Sequence, residues 1–347
     1  MNILITGNLG YVGPSVIKQL RATFPKGRLV GLDTGFFAHC LTGVDVYPDT
    51  LLNEQWYGDI RNINIDMLRG FDAVVHLAAI SNDPMGKTFE TVTDEINCRS
   101  SIRLAELAKE AGVRNYVFAS SCSVYGFAEG GPRKEEDSLN PLTAYAKSKI
   151  GTEEGVKSLA SDSFVVTCLR FATACGFSAR TRLDLVLNDF VAGAVATGEI
   201  SILSDGTPWR PLIHIDDMAL AIEWAVARLA ENGGAFLSIN AGSDEWNYQV
   251  KDLAEAVAQV VPGTTVSINP DAVPDKRSYQ VSFEKFRQLA PNHQPRVTLT
   301  QAVEGLKAGL EKMQFKDANF RTSQYIRLVV LKGHMATQRV NDSLYWR

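Results

Sequence analysis

Met1-Asn2-Ile3-Leu4-Ile5 opens the chain as a short apolar run that passes directly into Thr6-Gly7-Asn8-Leu9-Gly10-Tyr11-Val12-Gly13. From Tyr11 to Ala22 the apolar residues Val12, Val16, Ile17 and Leu20 recur at helical spacing. Strand, glycine turn and helix in immediate succession constrain the fold more than any other stretch. The spacing of Gly7, Gly10 and Gly13 lets the backbone come close to an anion at a helix N-terminus, where free N–H groups and the helix dipole favour negative charge. Leu9, Tyr11 and Val12 complete that cradle. A plain glycine turn between strand and helix also satisfies the spacing, so the next strand matters. Arg28–Leu32 is apolar enough to be that strand, and it ends in Asp33, 20 residues after Gly13. An acidic residue at this distance suits the ribose hydroxyls of a bound adenosine and would repel a 2′-phosphate. No arginine follows directly, so the pattern predicts NAD rather than NADP as the dinucleotide.

The alternation continues. A third strand is expected near Leu51–Tyr57, followed by Gly58-Asp59-Ile60-Arg61, where Asp59 suits either an adenine amino group or the cap of a helix over Asn62–Arg69. Phe71–Leu77 is a continuous apolar run, as in a parallel strand covered on both faces. It opens into the small residues Ala78-Ala79-Ile80-Ser81-Asn82. Glu90–Ala111 reads as one long helix carrying Asn97, which either reaches the active-site loop or faces solvent. Asn115–Ala119 is the next strand, and it ends in Ser120-Ser121-Cys122-Ser123-Val124-Tyr125-Gly126. A small, polar cluster at the carboxyl end of a strand is where a doubly wound sheet keeps its chemistry. Tyr145 and Lys149 then stand four residues apart on a helix that follows Pro141, hence on one face. An ammonium beside a phenol favours the phenolate, which suits acid/base work. Taken alone, this spacing is equally a surface pair on an amphipathic helix.

Composition excludes several classes. The chain has 347 residues, 45% hydrophobic and 21% charged, with a formal net charge of −4. That profile carries no nucleic-acid footprint. Apolar runs such as Ala73–Ala79 are too short to span a bilayer, and the N-terminus has no basic leader, so a cytoplasmic protein is expected. Five scattered cysteines predict reduced thiols, and five histidines without paired spacing predict no metal site.

Together these pieces resemble the extended short-chain dehydrogenase/reductase superfamily, in its nucleotide-sugar epimerase/dehydratase branch. The segments that carry the resemblance are Thr6 to Gly13, Asp33, Asp59-Ile60, His76-Leu77-Ala78-Ala79, Ser120 to Gly126 and Tyr145-x-x-x-Lys149. Leu169 to Gly176 and Arg210-Pro211-Leu212-Ile213-His214-Ile215-Asp216-Asp217 continue it. The resemblance implies an α/β fold, a Rossmann-type doubly wound parallel sheet with a smaller mixed α/β C-terminal substrate-binding lobe. It further implies a dinucleotide-binding domain over 1–170 with later segments around 210–245 interleaved, a substrate lobe over 171–315 and a C-terminal helical extension over 316–347. The implied partners are NAD, a nucleoside-diphosphate sugar and a second copy of the chain in a homodimer.

Residue roles follow from the same resemblance. Tyr145 takes the proton from a sugar hydroxyl, Lys149 lowers the Tyr145 pKa and holds the nicotinamide ribose, and Ser121 hydrogen-bonds the reacting oxygen. Ile60, Leu77, Ala78, Ala79, Asn97, Ser120 and Ala172 fall to the cofactor. Ser81, Asn82, Ser123, Thr173, Arg180, Arg182, Asn188, Arg210 and Arg277 fall to the substrate, the last two as diphosphate contacts. Thr173 stands where many relatives carry Asn. Asp216 is expected to cap a helix over Met218–Leu229, and Asn247–Val260 to form another helix. Dehydratases of the family carry Asp-Glu after the catalytic Ser or Thr, decarboxylases a Glu and 3,5-epimerases a Cys at the position of Ser123. Here Cys122 and Ser123 supply neither carboxylate, and Cys122 is one residue out of register. The expected reaction is therefore 4-epimerisation through a 4-keto sugar, with reduction of a 4-keto sugar nucleotide as the alternative. A non-catalytic dinucleotide sensor is a further alternative, although such relatives typically lose the Tyr or the Lys. Phe320–Arg347 is too apolar for a free tail and is expected to form a helix packed on the domain or on a partner subunit.

Overall fold

Ile3, Leu4 and Ile5 have no exposed surface. The strand they form, β1 (Ile3–Thr6), lies between two parallel neighbours and is covered on both faces, which is why it reads as an unbroken apolar run. A computed structural model describes residues 1–128, 130–269, 272 and 278–347. The strands that follow β1 are β2 (Leu29–Asp33), β3 (Glu54–Tyr57), β4 (Ala73–His76), β5 (Asn115–Ser121), β6 (Val165–Phe171), β7 (Thr173–Cys175), β8 (Glu199–Ile202), β9 (Trp209–His214), β10 (Phe236–Ala241), β11 (Asn247–Gln249) and β12 (Thr265–Ile268).

Seven of them form one sheet in the order β10-β6-β5-β4-β1-β2-β3, and every pairing in it is parallel. The chain winds outward from β1 in one direction, then crosses to β4 and winds outward in the other. The crevice between the carboxyl ends of β1 and β4 is thus the topological switch point, where such sheets bind their ligands. Alternate residues of β1 serve different cores. Ile3 and Ile5 pack with Val16, Ile17 and Ile222 on one face. Leu4 packs with Leu104, Ala105 and Val156 on the other. Each such side chain stabilises the fold by roughly 1.5–3 kcal/mol through burial.

A second lobe has its own apolar cluster, in which Leu187, Val191, Leu253, Val257, Val303 and Leu306 meet. It includes the three-stranded sheet β11-β9-β7 and the parallel pair β12-β8. The chain crosses back and forth: the helix Ile215–Ala227 packs on Gly13–Thr23, and β10 completes the large sheet between two stretches of the lobe.

Several local expectations are corrected. No helix spans Asn62–Arg69. Two single turns, Ile60–Asn62 and Ile65–Leu68, replace it, because Asp59 caps the first and Asn64 restarts the chain by accepting from the Met67 N–H. The helix expected over Glu90–Ala111 contains a π turn at Glu95–Arg99, and Asn97 lies within it. The expected helix over Asn247–Val260 begins only at Val250, because Asn247–Gln249 pairs antiparallel with β9. His214, not Asp216, caps the following helix: its Nδ1 accepts from the Asp216 N–H at 3.2 Å.

The C-terminal extension packs on the molecule. It contains the helix Arg327–Ala336, and Leu331, Val340 and Leu344 join the core beneath β2, while Phe320 joins the core of the second lobe. Among the described residues, no helix is long and apolar enough to cross a membrane.

Candidate active site

Thr143 starts the helix Ala144–Lys157. Its hydroxyl accepts from the Ala146 N–H at 3.1 Å and donates to Asp83 Oδ1 at 2.8 Å. Tyr145, Lys149 and Glu153 follow at intervals of four and form one stripe facing the carboxyl ends of β5 and β6. Lys149 Nζ donates to the Ala119 carbonyl at 2.7 Å and lies 4.6 Å from the Phe118 ring centre and 5.4 Å from that of Tyr145. Glu153 is fixed from four sides. Ser120 Oγ donates to its Oε1 at 2.5 Å, Ser238 Oγ donates to its Oε2 at 3.0 Å, and Arg170 holds it through Nε and through Nη2 at 2.7 Å. Ser120 thus turns its side chain into this buried ion pair, tying the end of β5 to the helix Ala144–Lys157.

The Tyr145–Lys149 couple behaves differently from the simple picture of an ammonium lowering a phenol. Burial dominates and pushes Tyr145 up to about 12. A hydrogen bond with Ser121 and the positive charge of Arg182 pull it down, and Asp83 opposes them. Burial also pushes Lys149 down to about 7, against the pull of Glu153. The phenol therefore keeps its proton in this arrangement, and Arg182 joins Lys149, 5.4 Å from the ring centre, as a cation near it. Ser121 Oγ accepts from the Ser123 N–H at 3.1 Å. Ser123 Oγ is buried without a hydrogen-bond partner. Cys122 faces the core, its thiol donating to the Arg170 carbonyl at 3.1 Å, and burial pushes that thiol far up.

These groups open on a cleft of about 1120 Å³ at the switch point. Of the residues expected at the cofactor and substrate, Gly7, Gly10, Tyr11, Val12, Gly13, Asp33, Asp59, Ile60, Leu77, Ala78, Ala79, Ser81, Asn82, Ser120, Ser121, Ser123, Tyr145, Lys149, Ala172, Thr173, Arg182 and Arg210 border it. Leu9 lies behind the wall and donates its N–H to Asp33 Oδ2 at 3.0 Å.

Asn97 reaches the active-site loop, one of the two placements expected of it: it accepts from the Ile80 N–H at 2.8 Å and donates to the Ile80 carbonyl at 2.9 Å, from a buried position behind the cleft and not on its wall. Two expected contacts are corrected. Asn188 is fully buried, its amide is spent on the Gly176 N–H, the Tyr11 hydroxyl and the Arg182 carbonyl, and it does not border the cleft. Arg180 pairs with Asp49 at 2.8 Å, its charge acts on Asp33, and it does not border the cleft. Arg277 lies outside the described residues.

Arg182, two residues on, lies on the other side. Its guanidinium grips Asp184 through Nε at 2.9 Å and Nη2 at 3.0 Å, and Nη1 donates to Ser81 Oγ at 3.1 Å. Asn82 caps the helix Asp83–Thr88 and donates to Asp184 Oδ2 at 2.7 Å. The sequence reading missed Asp83, Asp184, Tyr279 and, from the extension, Arg321, Ile326, Arg327 and Leu328, all of which border the cleft. No local pattern marks them; they reach it only because distant elements pack there.

The cofactor wall fits a dinucleotide. Gly7 has φ +73°, and a Cβ there would lie 2.5 Å from the Ala78 nitrogen, while one on Gly13 would fall on the Asn8 carbonyl. The turn is therefore held tight against the strand that ends beside it, with its N–H groups at the helix N-terminus. Asp33 is half-buried and accepts from the Leu9 and Gly35 N–H groups (2.7 Å for Gly35); desolvation raises its pKa. Asp59 faces the cleft but is clasped by Arg61, at 2.6 Å for the shortest contact.

The family model for the NAD dependent epimerase/dehydratase family matches residues 3–242. Among curated relatives, UDP-glucose 4-epimerase of Lacticaseibacillus casei is 26% identical over 311 residues, covering 83% of this chain and 90% of that protein. UDP-glucose 4-epimerase of Streptomyces lividans is 29% identical over 281 residues, covering 74% of this chain and 80% of that protein. The fold is similar to the crystal structure of UDP-glucose-4-epimerase from Stenotrophomonas maltophila with bound NAD and formylated UDP-arabinopyranose. The TM-score is 0.75 at 23% identity, with 90% of this chain and 99% of that one covered.

Proposed function

The chain belongs to the NAD dependent epimerase/dehydratase family, and from that premise we propose that it inverts C4 of a nucleoside-diphosphate sugar through a 4-keto intermediate. The observation that carries this reading is what surrounds the end of β5. Tyr145, Ser121 and Lys149 converge there on one cleft, and the two residues after Ser121 bring no carboxylate: Cys122 is turned into the core and Ser123 offers a hydroxyl. Elimination and decarboxylation each need a further acid or base beside the reacting carbons. Moving one hydride and one proton at a carbinol does not.

NAD, when bound, supplies a hydride acceptor and then donor. Gly7, Gly10 and Gly13 with the turn between them would hold its diphosphate, and Asp33 its adenosine ribose. The protein's own task is the proton. Tyr145 first gives its phenol proton to solvent in the open cleft; the phenolate then takes the proton of the C4 hydroxyl and returns it to the C4 oxygen. Arg182 and the Ser121 hydrogen bond, the two influences that lower the Tyr145 pKa, help the phenol release its proton. Ser121 accepts from a backbone N–H and so has its own proton available for the reacting oxygen. Ser123 Oγ, Arg182 and Arg210 border the space left for the sugar and its diphosphate.

The test is to incubate purified protein with UDP-, dTDP-, GDP- and CDP-sugars without added cofactor and to read C4 configuration by NMR. C4 inversion in at least one of them is the expected result. Stoichiometric oxidation of added NAD(P)H by a 4-keto sugar nucleotide, with no inversion, would identify a reductase instead.

A further inference from the structure

We propose that Arg327, delivered by the C-terminal extension, binds the diphosphate of the dinucleotide and makes the extension part of the cofactor site. Arg327 borders the cleft and is 1% exposed. Its Nη2 donates to the Arg180 carbonyl at 2.7 Å, while its Nη1 is buried with no hydrogen-bond partner. Among the described residues, no carboxylate stands within ion-pair distance of it. Asp184 acts on it only from beyond that distance, and a buried cation without a paired anion is costly, so an anion at the free Nη1 would complete the site. Burial already pushes Arg327 down to about 10.

Arg180 repeats the pattern. Its Nη2 holds Asp49, but its Nε and Nη1 are buried and unpartnered. Arg180 stands behind the cleft wall, so of the two guanidiniums Arg327 is the one on the cleft, with the charge of Arg180 behind it. A planar fork with free donors suits phosphate oxygens.

The neighbours say which phosphate. The Arg327 guanidinium lies 4.8 Å from the Phe37 ring centre, on the loop that follows Asp33, and Arg180 acts on Asp33 itself. Arg327 also feels Asp184 and Arg182, but its ring contact and Arg180 lie at the Asp33 end, and the glycine turn borders the same cleft. The extension is tied to that side elsewhere too. Trp346 Nε1 donates to the Thr34 carbonyl at 2.6 Å, and Arg61 Nη1 donates to the Ser343 carbonyl at 2.7 Å. Cofactor binding and docking of the extension are therefore linked, and each stabilises the other.

The proposal is tested on the full chain, freed of cofactor, by calorimetric titration with NAD, ADP-ribose, adenosine and UDP. Arg327→Met should weaken NAD and ADP-ribose on the order of 10- to 100-fold, and leave adenosine and UDP within about twofold of wild type. Unchanged NAD and ADP-ribose affinity would overturn it. So would a selective loss of UDP affinity, which would assign Arg327 to the sugar nucleotide. Wild type supplies a second reading that needs no variant. ADP-ribose should slow tryptic cleavage within residues 316–347, and adenosine should not; equal protection by both would sink the idea. Neither measurement depends on C4 inversion, so the proposal and the proposed reaction fail separately.

Discussion

On the cofactor wall of the cleft the backbone does most of the shaping. Gly7 and Gly13 allow contacts that no side chain would permit, and Asp33 is held by two main-chain N–H groups. On the sugar wall the shaping comes from long side chains converging from separate segments: Arg182 with Ser81 and Asp184, Asn82 with Asp184, and Arg210 on β9. The first wall is a local geometry that one stretch of chain writes almost alone. The second is an assembly, and its specificity depends on how distant elements pack. A wall of the first kind suits a ligand common to a whole family, and one of the second kind suits a ligand that varies between members.

This contrast can be broken or sharpened by measurement. The largest effect should come from Tyr145→Phe, where the walls meet. Turnover should fall by roughly 10²- to 10⁴-fold, with NAD affinity kept. Undiminished turnover would place the acid/base group elsewhere. The next largest belongs to His76, at the base of the cofactor wall between Thr6 Oγ1 at 2.6 Å and Ser101 Oγ at 2.7 Å. Burial, helped by Lys149, pushes it from 6.5 down to about 3. Between those values the unfolded chain binds a proton that the folded chain excludes, so its contribution falls as pH drops from 6.5 towards 3 and is level above 6.5. Urea unfolding of wild type and His76→Gln across that window should differ by up to about 1.4 kcal/mol per pH unit; parallel curves would contradict the assignment. Asp33→Asn should then weaken NAD on the order of tenfold and narrow its preference over NADP, leaving sugar-nucleotide affinity alone. An unaltered NAD/NADP ratio would remove Asp33 from the ribose. The smallest effect is expected at Ser123→Ala on the sugar wall. Its hydroxyl has no protein partner to lose, so stability should hold while kcat/KM falls by a factor of about 2 to 10. A matching loss of stability would show the hydroxyl to be structural.

The two walls were also unequally legible before the structure. The glycine turn, Asp33 and the Tyr145-x-x-x-Lys149 spacing could be read because each is a short-range rule, in φ, in strand length or in helical pitch. Asn97 and Asn188 could not be placed by such rules. Both lie in helical stretches of suitable chemistry, but the π turn around Asn97 and the complete burial of Asn188 turn their amides onto the backbone. The expected helix over Asn62–Arg69 failed because Asn64 offers a local cap that competes with helix continuation.

By itself the sequence determined the parallel α/β sheet, the position of its switch point and the pairing of Tyr145 with Lys149 on one helix face, because buried strands, tight turns and i,i+4 pairs are encoded within a few residues of one another. Only the tertiary structure decided where the long cations go. Arg180 and Arg182 are two residues apart, yet one pairs with Asp49 behind the cleft and the other lies on the cleft wall near Tyr145. Arg327, from the last segment of the chain, arrives beside the first of them. A long flexible side chain has no fixed direction until the elements around it pack, and the acidic and carbonyl groups that capture it come from parts of the chain that local pattern cannot connect.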